Sequence, residues 1–82
     1  MNTIRSQSFK ETALEYYNCA VDCELRSPQD NKKSFRSYLI AALLGSNDAA
    51  LHVAMAYKGG IGIGRSDKLA RFWSIRASNS FT

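Results

Sequence analysis

The stretch Gly60-Ile61-Gly62-Ile63, with Gly59 before it and Gly64 after it, decides how this chain is read. It lies between two segments of helical periodicity, and the residues around it recur at a fixed offset of about 36 positions. Ala13 matches Ala49, Ala20 matches Ala56, and Leu25 matches Ile61. Val21 falls on Tyr57, Asp30 on Ser66, and Ala41-Ala42 on Ala77-Ser78. One offset joins all of these without a gap. A period of that size points to a helical repeat array, in which each unit buries its apolar face only against a neighbour.

Moving outward from the glycines, the helix signals follow in order. Ser8-Phe9-Lys10-Glu11 fits a capping box, so residues 1–7 read as a flexible arm and a first helix runs from there to about Leu25. Ala13, Tyr17, Ala20 and Val21 form its apolar face. Ser27-Pro28 ends that helix and places Pro28 at the start of the next, which extends to about Leu44. Phe35, Tyr38, Leu39, Ala42 and Leu43 make an unbroken i, i+3, i+4, i+7, i+8 stripe on it. Gly45 stands where a left-handed residue closes a helix. Ser46 or Asn47 caps a third helix to about Tyr57, apolar nearly all round and so expected to be central. Ser66 caps a fourth, Asp67 to Ser78, with Leu69, Phe72, Trp73 and Ala77 facing inward, and 79–82 form a tail. Short connections make sequential helices antiparallel. The expectation is an all-α fold of four antiparallel helices, with residues 8–44 and 45–78 as its two units.

The residues of the second unit resemble the Sel-one-like repeat, a relative of the tetratricopeptide repeat. Gly45, Ala49, Val53, Ala54 and Tyr57 match its first helix, and Gly60, Gly62 and Ile63 its loop. Ser66, Ala70, Trp73, Arg76, Ala77 and Ser78 match its second helix. The first unit is a diverged copy: Ala13 and Tyr17, then Asp30, Lys33, Ser34, Tyr38, Ala41, Ala42 and Gly45, keep the pattern. Glu24 and Arg26 stand where the loop glycines belong, so that turn takes another shape. The resemblance implies a short right-handed α/α solenoid of two helix-turn-helix repeats, and protein binding rather than catalysis.

Composition narrows the function further. At 82 residues the chain forms one small domain with a thin core. No apolar run is long enough to span a bilayer, and no signal-peptide stretch opens the chain, so a cytoplasmic protein is expected. Cys19 and Cys23 are four apart on one helix; with His52 they fall short of the four ligands zinc takes, and they read as packing residues. Gly64-Arg65-Ser66 lacks the Gly-Lys-Ser/Thr of a phosphate loop and the strand before it. His52 is the only histidine and has no nucleophile set around it. No enzyme activity, metal or cofactor is therefore expected.

Two candidate binding surfaces emerge. In helical repeats of this type the first helix of each pair lines the concave face. That assigns a protein-binding groove to Tyr16, Cys19, Asp22 and Cys23 on one helix and Asp48, His52, Met55 and Lys58 on the other. The charge is also lopsided: residues 1–25 carry two basic and four acidic side chains, and residues 26–82 nine and three. Arg65, Lys68, Arg71 and Arg76 share an arc of roughly 140° on the fourth helix. Lys32, Lys33 and Arg36 add to this basic face from the second. An acidic protein partner fits such a face, with nucleic acid as a lesser alternative. Two repeats leave one end of the stack open, which invites a homodimer there. The functional expectation is an interaction module or adaptor; the alternative is a stand-alone inhibitor of a larger enzyme or defence complex encoded on a mobile element.

Overall fold

A computed structural model describes the backbone from residue 2 to residue 78 and the side chains from Phe9 onward. The described residues are all-helical: α1 Asn2–Arg26, α2 Asn31–Leu43, α3 Asn47–Gly59 and α4 Asp67–Ser78. The molecule is a flat slab of 40 × 29 × 14 Å. Each helix packs chiefly on its sequence neighbours: α1 on α2, α2 on α3, α3 on α4.

α1 is longer than the sequence reading placed it. It begins at Asn2 and passes through Ser8 without interruption, so the capping box there does not start a helix. No glycine or proline occurs between residues 2 and 26, and nothing local breaks the helix. The predicted tail, 79–82, lies outside the described residues.

Pro28 is also placed differently. It disfavours a helical conformation at Ser27. The chain forms a turn in which the Asp30 N–H donates to the Ser27 carbonyl at 2.9 Å, and Pro28 occupies its second position. α2 then starts only at Asn31, with the Asp30 carboxylate accepting from the Lys33 N–H at 3.3 Å. Its far end closes as expected: Gly45 at φ +107° donates to the Ala42 carbonyl, and the Ser46 N–H reaches the Ala41 carbonyl, both at 3.0 Å.

Ser46 caps α3 by accepting from the Ala49 N–H, and Ser66 caps α4 by accepting from the Leu69 N–H, each at 3.1 Å. The caps of α2 and α4, Asp30 and Ser66, are 36 residues apart and each holds the N–H three positions on. Between α3 and α4, Gly60 at φ +68° ends α3, and the Ser66 N–H returns to the Tyr57 carbonyl at 3.0 Å. Gly62, at φ +78°, sits directly on the first turn of α2, where a Cβ would collide with the Asn31 carbonyl group. This is the one place where the loop needs glycine twice over, for its backbone and for the close approach.

The core consists mainly of alanines at the helix crossings, with Ala20, Ala41, Ala49 and Val53 fully buried. Small residues let the helix backbones approach closely, and Phe35, Tyr38 and Trp73 fill the wider gaps between them. α3 is less enclosed than its composition predicts. Ala49, Ala50, Val53 and Ala54 are buried, but Leu51 and Met55 are more than half exposed. Its neighbours α2 and α4 cover two faces and leave the third open.

Candidate functional site

α1 and α3 lie on either side of the aromatic face of α2, and Tyr38 of α2 links them. The Tyr38 ring stacks on His52 of α3, with centroids 4.2 Å apart and planes 3° from parallel. Tyr17 of α1 meets both rings edge-on, at 5.6 Å from Tyr38 and 5.8 Å from His52. Such offset and edge-to-face pairs add stabilisation beyond the area they bury. The Tyr38 hydroxyl donates to Glu24 Oε1 at 2.6 Å. Burial raises the pKa of that hydroxyl well above the ordinary tyrosine value, and the hydrogen bond to Glu24 and its negative charge raise it further. Tyr38 is therefore a neutral donor, and it fixes the direction of the Glu24 carboxylate.

This cluster divides a groove into two depressions. One, of about 500 Å³, is lined by Lys10, Ala13, Leu14 and Tyr17 of α1 and by Leu44–Asp48 at the start of α3. The other, of about 100 Å³, is lined by Glu24, Tyr38, His52, Met55 and Ile61, among others. Together they put apolar walls, one cation and two carboxylates along one face. A third depression, of about 400 Å³, lies elsewhere, between Phe35, Leu39 and the Gly62–Gly64 loop, with Lys32 and Arg36 at its edge.

The structure distributes the predicted groove residues unevenly. Asp48, His52 and Met55 line the depressions. Cys23 is buried against α2, its thiol 3.7 Å from the Asp30 carbonyl, and cannot project. Cys19 is exposed, but its sulfur lies 3.9 Å from the Ser37 hydroxyl on the α2 side. Asp22 turns outward and pairs with Arg26 at 2.8 Å, and neither Tyr16 nor Lys58 lines either of these two depressions. The groove side of α1 is instead the row Lys10, Leu14, Tyr17 and Glu24, which sequence reasoning missed. The row is visible as i, i+4, i+7, i+14 spacing beside the buried alanines, and the missing signal was which flank of those alanines faces α3.

The basic set is spread over α2, the turn before α4 and α4 itself. Arg65 pairs with Asp67 at 3.4 Å, and the Arg76 guanidinium lies 5.5 Å from the centroid of the Trp73 ring. Lys68 and Arg71 are exposed on α4. Lys32 and Arg36 border the third depression on α2, and Lys33 is exposed on the first turn of that helix. Among the described residues no group of three or more His, Cys, Asp or Glu side chains is placed to hold a metal ion. No described helix is long and apolar enough to cross a membrane. Searches against protein-family models, curated proteins and solved structures give no match to this chain.

Proposed function

We propose that the chain is a non-catalytic docking module that holds an extended segment of a protein partner in the groove between α1 and α3. The observation that carries this reading is the pair of depressions on one face, either side of the Tyr17–His52–Tyr38 cluster. Rings held this way are pre-organised, so binding orders little of the module itself. Met55, more than half exposed beside them, supplies an adaptable apolar anchor.

The reading includes the architecture: two Sel-one-like repeats stacked as a short right-handed solenoid. The two helix caps 36 residues apart and the glycine turn seated on α2 support it. The caps recur unit by unit, as a repeat array requires, and the turn joins the second unit to the first.

Partner capture from the native host, followed by photo-crosslinking from position 55, tests the groove. Met55→Glu is expected to weaken capture at least about tenfold with an unchanged melting temperature, because the side chain is exposed. Tyr16→Ala, outside both depressions, is expected to leave it unchanged. Undiminished capture by Met55→Glu overturns the groove assignment.

A further inference from the structure

The third depression joins the two units. One wall is α2, and the other is the turn before α4. Its floor is apolar and well fixed. Phe35 is buried and meets Tyr57 edge-on at 5.3 Å, Leu39 is half-buried, and Ile63 is partly exposed. The contact of Gly62 with Asn31 holds the turn against α2, so the opening of about 400 Å³ stands ready formed.

Charge at its rim is one-sided. Lys32 and Arg36 stand one helical turn apart on α2, at the i, i+4 spacing where like charges repel. Lys32 and Lys33 lie in the first turn of that helix, which holds no acidic residue and where positive charge is disfavoured. Among the described residues neither Lys32 nor Arg36 has an ion-pair partner. The acids nearest in the chain are engaged: Asp30 caps α2 through the Lys33 N–H, and Asp67 pairs with Arg65. None of the residues lining the depression is acidic. At the matching positions of α4, Asp67 and Phe72 stand where α2 has Asn31 and Arg36. The uncompensated charge therefore belongs to α2 alone, and a bound anion relieves it.

We infer that this depression is a second binding site, for a short acidic segment of a protein partner with an apolar side chain between its carboxylates. The apolar side chain covers Phe35, Leu39 and Ile63. The carboxylates meet Lys32 and Arg36, the guanidinium offering two parallel donors. Two cations over an apolar floor favour such a segment over a nucleic acid, whose affinity comes from a longer run of phosphate contacts. The site does not depend on the groove between α1 and α3.

Titration of the full chain with synthetic peptides tests this, read by amide shifts in nuclear magnetic resonance. The probe is a short peptide with leucine between two glutamates. It is expected to shift the amides of Arg36, Leu39, Ile63 and Gly64, and its affinity to fall about tenfold between ~0.05 M and ~0.5 M salt. Replacing both glutamates by glutamine, or the leucine by alanine, is expected to cost about tenfold. Lys32→Gln combined with Arg36→Gln is expected to cost about as much. Lys68→Gln combined with Arg71→Gln removes the same charge from residues that line none of the three depressions, and is expected to change nothing. All four side chains are exposed, so circular dichroism is expected to stay the same. Should the α2 pair unfold the chain, Ile63→Glu takes its place and is expected to abolish binding. No binding at millimolar peptide, equal losses from the two charge pairs, or equal binding of the glutamine peptide overturns the inference. So do shifts confined to Leu14 and His52 in the groove, or a single-stranded oligonucleotide that binds more tightly and shifts the same amides.

Discussion

Tyr38 meets two aromatic rings and one carboxylate. Its hydroxyl has a direct consequence for pH dependence. The folded state holds the phenol neutral with a pKa raised above the unfolded value of 10.0. Stability from this group is therefore fully present below pH ~10 and is lost as pH rises past it. Tyr38→Phe is expected to remove that alkaline loss. It also removes the bond to Glu24, which is worth about 1 kcal/mol because the carboxylate is largely exposed and solvent takes the hydroxyl's place. Chemical denaturation of both proteins at neutral pH and near pH 10.5 measures the two effects separately.

At the scale of elements, the turn between α3 and α4 matters most because it also touches α2. Gly62→Ala meets a disfavoured backbone and a collision with Asn31, and is expected to cost about 2 kcal/mol or more. Gly64→Ala meets no neighbour within 4 Å and has no positive φ, so it is expected to be near neutral. Thermal unfolding of the two variants checks the contrast. These elements were also the most legible in the sequence. The glycine turn, the serine caps and the alanine periodicity located α3, α4 and the end of α2, because each is a local signal with a local cause. The start of α1 was misread because a capping box is a permissive pattern, and an uninterrupted run of helix-compatible residues passes through it. The start of α2 was misread because proline suits both a first helical turn and the second position of a β-turn. On α1 the groove assignment failed for a different reason: periodicity gives the face that is buried, but not which neighbour lies on each side of it.

For the molecule as a whole, packing in sequence order means that α2 and α3 are each covered on two sides and α1 and α4 on one. Stability in such an array is nearly one-dimensional, so it is expected to fall toward the ends. Hydrogen exchange should show amides of α2 and α3 as the slowest and those of α4 as faster; uniform rates would mean a single cooperative core instead. The contact between Gly62 and Asn31 carries a directional consequence. The second unit brings the glycine turn, and the helix before it offers the surface on which the turn rests. The matching positions of the first unit, Glu24-Leu25-Arg26, continue as helix and have no such turn to offer. The joint between the two units is therefore latched at its edge as well as packed along its length. Loosening that one turn is what would let the two units swing against each other, so the angle between them is set by a glycine.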